Sequence, residues 1–193
     1  MNFSKSILFL GYDKTTNSLV EFLSEKGHEV LHSSKKINSI NNFDLVISYG
    51  YRYIIPKKVL SSSTPIINLH MSFLPFNRGA HPNFWSHFEN TPSGVTIHLI
   101  DEGIDTGDYL FQKKVFIDKE KMTFLSSYLL LKEEIEDLFK KNYDSIINLN
   151  FRPKKYSSVG TFHLKKDLPK NFLGWNEIIS KEINRLKTNR EDK

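Results

Sequence analysis

Ser6-Ile7-Leu8-Phe9-Leu10, a short unbroken apolar run ahead of Gly11, is the stretch on which the reading of the fold turns. Apolar residues at both parities mark a strand buried on both faces, as in parallel sheets covered by helices. The spacing predicts a helix next, from a cap at Thr15 or Thr16 to Lys26, with Leu19, Val20, Phe22 and Leu23 as its apolar stripe. Gly27 stands where a helix would stop. Glu29-Val30-Leu31 then reads as a second strand, residues 43–48 as a third, and Pro65-Ile66-Ile67-Asn68 as a fourth. Strand and helix alternating across short links specify an α/β fold built on a parallel sheet.

Further along, residues 82–90 read as a helix and residues 94–100 as a strand. Residues 109–117 read as another strand, with Lys113 and Lys114 suited to a sheet edge. A long amphipathic helix is predicted from residue 124 to about 147, carrying Tyr128, Leu131, Ile135, Leu138 and Phe139 at helical spacing. Residues 152–170 form a tail bearing Pro, Ser and Lys, and residues 176–190 an exposed terminal helix. The polar segment 33–42 is too short for an ordinary crossover helix. The expected architecture is therefore an abbreviated Rossmann-like open, mostly parallel sheet with helices on both faces, plus a short C-terminal extension. Its expected division is a catalytic domain over residues 1–147 and a basic tail and helix over 148–193.

The chain has 193 residues, 39% hydrophobic and 25% charged, enough apolar surface for one main core. It contains no cysteine, so disulfides, thiolate metal sites and a cysteine nucleophile are all excluded. No signal-peptide pattern or membrane-length apolar stretch is seen, and the expected location is cytoplasmic, without a membrane partner. The charge of +5 is uneven. Residues 148–170 hold Arg152, Lys154, Lys155, Lys165, Lys166 and Lys170 against Asp167 alone, which suits either an anionic ligand or a solvated surface. No motif that reads nucleic-acid grooves accompanies them, so no nucleic-acid partner is expected.

Gly11-Tyr12-Asp13-Lys14-Thr15 is not a dinucleotide fingerprint, and neither a phosphate-binding P-loop nor a G-x-S-x-G elbow occurs. The seven histidines show no H-E-x-x-H or His-x-His spacing, so no metal is expected, and His28, His32 and His87 read as structural or surface residues. One region stands apart. Asn68-Leu69-His70-Met71-Ser72-Phe73-Leu74-Pro75 closes the fourth strand, and Arg78-Gly79-Ala80 follows. After the next strand comes Asp101-Glu102-Gly103-Ile104-Asp105-Thr106-Gly107-Asp108. Asn68 and His70, two apart on extended chain, leave the same face at the carboxyl end of a parallel strand, where such sheets place ligand crevices. Asp105 lies in a Gly-flanked turn that could fold back onto them. An amide, an imidazole and a carboxylate meeting there would suit acyl transfer, whereas the simpler alternative is that they only satisfy loop backbone groups.

Taken in order, Asn-x-His-x-Ser-x-Leu-Pro, Arg-Gly and Asp-x-Gly-x-Asp-Thr-Gly-Asp strongly resemble the N10-formyltetrahydrofolate-dependent formyltransferases. The resemblance covers roughly residues 43–117, with Met71 and Phe73 departing from the family's usual loop residues. It implies that Asn68, His70 and Asp105 are catalytic. It places the co-substrate N10-formyltetrahydrofolate against Gly50, Arg52, Tyr53, Ile54 and Ile55 and against the backbone of Asp101, Glu102, Gly103 and Ile104. Within the family, the basic tail looks like that of the enzymes acting on nucleotide-linked amino-deoxysugars in bacterial surface-polysaccharide synthesis. The acceptor side is assigned to Ser72, Arg78, His81 and Trp85, although Trp85 equally fits a helix-to-sheet core. The resemblance also suggests a homodimer. Glycinamide ribonucleotide, methionyl-tRNA, water as acceptor and an idle binding module are the alternatives.

Overall fold

The computed structural model describes residues 4–191, with side chains to residue 188. The expectations resting on residues 1–3 lie outside the described residues. Contacts divide the chain into two compact units. The first comprises residues up to 70 with 97–111 and 136–155, and the second comprises 71–96, 112–135 and 156 onward.

Its strands are β1 (Ser6–Gly11), β2 (Glu29–Ser33), β3 (Leu45–Tyr49) and β4 (Ile66–His70), followed by β5 (Arg78–Gly79), β6 (Gly94–Leu99), β7 (Tyr109–Lys114) and β8 (Phe162–His163). The helices are α1 (Leu19–Glu25), α2 (Lys57–Leu60), α3 (Pro82–Phe88), α4 (Phe124–Lys141), α5 (Tyr143–Ile147) and α6 (Ile179–Glu191). Six strands form one sheet in the order β2-β1-β3-β4-β6-β7. The first four are parallel, with Ser48 of β3 registered against Asn68 of β4. Ile100 N donates to Ile66 O while Asn68 lies against His98, so β6 runs opposite to β4. Bonds from Leu99 N to Asp108 O and from Val115 N to Ser93 O close β6 and β7 as a hairpin. The sheet is thus mixed and mostly parallel.

In the first unit Leu8, Leu10, Val46, Ile55, Val59 and Ile66 pack as one apolar cluster, while Ile7 and Phe9, at the alternate parity, are fully buried as well. That double burial is what an unbroken apolar strand requires. The start of α1 differs from expectation. Thr15 and Thr16 bond to Asp13 and build a turn, and Asn17 Oδ1 accepts from Leu19 N and Val20 N, so the helix begins at Leu19, two or three residues later than expected. Buried Glu136 of α4 fastens this region. It accepts from Ser18 N (3.1 Å), Ser18 Oγ (2.7 Å) and Tyr49 Oη (3.2 Å). The long helix expected to reach residue 147 breaks at Asn142, whose side chain donates back to Leu138 O (2.8 Å).

The second unit has an aromatic core of Phe84, Phe88, Phe124 and Phe172 at ring separations of 5.1–5.6 Å. Here the C-terminal segment is built in. β8 pairs with β5 in parallel, Arg78 against Phe162 and Gly79 against His163. α6 is not the exposed helix expected, because Ile179, Ile183 and Leu186 are all buried. Its Glu182, 2% exposed, is held by Arg185 and Leu173 N. No helix among the described residues is long and apolar enough to cross a membrane.

Candidate active site

β4 delivers Asn68 and His70 to one face, as residues two apart on a strand must be. Asp105 comes from the turn after β6, where the backbone takes a left-handed φ of 53° that is uncommon for a residue with a side chain. The turn is internally fixed. Asp101 Oδ1 accepts from Gly103 N (3.0 Å) and Thr106 Oγ1 (2.5 Å). A Cβ on Gly107 would come within 2.0 Å of Leu99 O, so only glycine lets the two hairpin arms approach this closely.

The three side chains meet. Asn68 Nδ2 donates to Asp105 Oδ1 (3.3 Å), and His70 Nε2 lies 3.7 Å from Asp105 Oδ2. His70 and Asp105 are only 11% and 14% exposed, so their interaction is screened far less than a surface pair. The 3.7 Å spacing is looser than a hydrogen bond, as catalytic pairs often are before substrate binds. A fourth residue, His98 of β6, joins them. Its Nδ1 is 2.7 Å from Leu99 O, and its Nε2 is 3.2 Å from Asn68 Nδ2 and 3.6 Å from Asp105 Oδ1. A lone histidine in an apolar strand reads as core. The available signal was its alternation with Thr96, which sets two polar residues on one face of β6.

The expected folate-binding residues lie on two loops of the same unit. Gly50 has φ +68, and a Cβ there would strike the Tyr12 ring at 2.4 Å. Arg52, Tyr53 and Ile54 are exposed, Ile54 by 77%. Ile55 is different: at 7% exposure its side chain belongs to the apolar cluster under the sheet. Asp101, Glu102, Gly103 and Ile104 are all exposed, and an ion pair between Lys57 and Glu102 (2.8 Å) ties the end of one loop to the other.

The residues assigned to the acceptor side belong to the second unit. The Ser72 hydroxyl is buried and donates to Phe76 O (2.6 Å), a bond internal to its loop. Arg78 is half-buried, and its Nε meets no acceptor among the described residues. His81 caps α3 with φ 56°, its ring 5.2 Å from Trp175, and burial with Lys165 nearby lowers its pKa. Trp85 is 5% exposed and stacks on His163 at 3.9 Å and 8°, which sets its ring in the core, while its Nε1 meets no acceptor among the described residues. A pocket of about 390 Å³ in this unit, lined by Ser86, His87, Ser93, Phe116 and Lys119 among others, contains none of the predicted residues.

An amide, two imidazoles and a carboxylate gathered at the end of a sheet are groups that can transfer protons and stabilise an oxyanion. Residues 17–134 match the formyl transferase family, and the chain belongs to it. Three relatives narrow the comparison. The methionyl-tRNA formyltransferase of Thermodesulfovibrio yellowstonii is 37% identical over 158 residues, covering 78% of this chain and 49% of that protein. The dTDP-4-amino-4,6-dideoxyglucose formyltransferase of Mycobacterium bovis is 29% identical over 128 residues, covering 66% and 54%. The chain therefore spans about half the length of these curated relatives. The crystal structure of the formyltransferase PseJ from Anoxybacillus kamchatkensis, in complex with UDP-4,6-dideoxy-4-formamido-L-AltNAc and tetrahydrofolate, superposes with a TM-score of 0.86. It is 37% identical, covering 93% of this chain and 98% of that one.

Proposed function

We propose that the protein transfers the formyl group of N10-formyltetrahydrofolate to the amine of a nucleotide-linked amino-deoxysugar. The observation that carries this is the Asn68, His70 and Asp105 cluster, set in a chain that aligns over nearly its whole length with a formyltransferase crystallised with a formamido sugar nucleotide. In this reading the acceptor amine attacks the formyl carbon, and the tetrahedral oxyanion takes a hydrogen bond from the Asn68 amide. His70, oriented by Asp105, carries the proton from the amine to the departing N10. Exposed Tyr53, Ile54 and Ile104 give the pterin ring apolar surface, and the exposed backbone of Asp101 to Ile104 gives its polar edge hydrogen-bond partners. The buried Nε of Arg78, which meets no acceptor among the described residues, supports a role in holding the anionic acceptor. Cytoplasmic location and a homodimer belong to the same reading, and sedimentation tests the latter.

The test incubates the protein with N10-formyltetrahydrofolate and a panel of UDP- and dTDP-linked amino sugars, followed by mass spectrometry. A gain of one CO on a sugar nucleotide, abolished by His70→Asn, is expected. A second reading rests on the 37% identity to a methionyl-tRNA formyltransferase, so charged initiator tRNA belongs in the panel. Formylation of that tRNA alone would replace the sugar acceptor. Formate release without any acceptor would turn the reading to hydrolysis.

A further inference from the structure

We infer that His98 is a positioning residue for the formyl-transfer site, fixing the plane of the Asn68 amide through a lone pair on its Nε2. This rests on the function proposed above. Among the catalytic-side residues, His98 is the one that no catalytic assignment uses, and it is the most buried, its side chain 2% exposed. Its protonation pattern follows from its partners. The Leu99 carbonyl, 2.7 Å from Nδ1, can only accept, so Nδ1 carries the hydrogen. In the neutral ring Nε2 is then an acceptor, and Asn68 Nδ2 at 3.2 Å is its donor. The second N–H of the same amide points to Asp105 Oδ1 at 3.3 Å. Turning the amide over would set its oxygen against a carboxylate oxygen and a ring lone pair, so this orientation is the one electrostatics selects.

Two anchors fix the plane where one would not. The terminal torsion of an asparagine is soft and roughly two-fold, and a single bond to Asp105 would leave the amide free to pivot. Both bonds are longer than the 2.9–3.0 Å typical of an N–H donor to oxygen. The N–H on Asp105 is thus cheap to redirect towards a developing oxyanion while the other stays on His98. Asp105 is then released to orient His70. His98 itself touches no reacting atom.

The test compares His98→Leu and His98→Gln in the wild-type and Asn68→Ala backgrounds. Leucine fills the volume without an acceptor, and glutamine restores an oxygen near the position of Nε2. His98→Leu is expected to lower kcat about 10- to 100-fold with KM for either substrate nearly unchanged, since alignment of the donor is lost and not binding. His98→Gln should recover most of that loss, and in the Asn68→Ala background His98→Leu should cost nothing further. An equal loss in both backgrounds, a change in KM alone, or no rescue by glutamine would overturn the assignment and leave a core histidine. A readout independent of activity is the 15N spectrum of the imidazole in the wild-type protein. It should show the Nδ1–H tautomer, with an Nε2 resonance that moves in Asn68→Ala, and the opposite tautomer refutes the proposal even if His98→Leu fails to fold. A wild-type protein that formylates no acceptor would sink the function and leave this spectral test standing.

Discussion

Asp105 is held at φ 53°, so the chemistry proposed for it and backbone strain would coincide in one turn. Asp105→Asn keeps the shape and an acceptor for Asn68 while removing the charge facing His70 and His98. Formyl transfer should fall by about 10²-fold or more in kcat with substrate KM within a few-fold, measured by steady-state kinetics. Gly107→Ala should fail differently. Its new Cβ meets the backbone oxygen of Leu99, which cannot swing aside as a side chain can, so the hairpin arms must part. Both a lower melting temperature and lost activity are expected, whereas Asp105→Asn should melt near wild type. Asn68, His70 and Asp105 were legible because their spacing forms ordered motifs in the sequence. His98 was not, because one histidine among Val95, Ile97 and Leu99 carries no motif, and its partner lies 30 residues away.

Elements showed themselves in proportion to their length and periodicity. β1, β3 and β4 carry apolar runs and were readable, while β5 and β8, two residues each, are too short to have a period. The start of α1 was misplaced because Thr15, Thr16 and Asn17 are all competent caps. The choice among them is made by Asp13, which engages both threonines. α1 is also held from a distance. Glu136→Ala would leave Ser18 N, Ser18 Oγ and Tyr49 Oη without their acceptor inside the first unit. A loss of about 2–4 kcal/mol is expected in urea denaturation, with Glu136→Gln costing less because its amide oxygen still accepts. α6 misled the sequence reading in the opposite sense. Its charge suggested exposure, but Glu182 and Arg185 satisfy each other at 2.7 Å, so a polar helix can be buried along one face.

At the scale of the whole molecule, acid should unfold the protein partly through buried histidines. Burial, and Lys119 secondarily, lower the His87 pKa from 6.5 to about 4. Burial likewise lowers those of His28 and His81, helped by Lys5 and Lys165. A folded pKa below the unfolded one means that the unfolded chain binds the extra proton first. The His87 contribution is therefore fully present above pH 6.5 and is lost as pH falls towards 4, by about 2–3 kcal/mol. Thermal melts from pH 7 to 4 should show this decline, and His87→Phe should flatten it. The division into two units was not legible, since each is assembled from three separate stretches of chain. That interleaving sets an order of events on the ribosome. The first unit has all its segments once residue 155 has emerged, but the backbone N–H of Asn77 in the second must wait for Thr161, 84 residues later, whose hydroxyl oxygen accepts from it. At translation speeds of about 5–20 residues per second that is an interval of roughly 4–17 s. Throughout it β5 has an open edge, and only in its last few residues, once residue 155 is out, can the first unit be complete, so a trigger-factor-like holdase would find its target there.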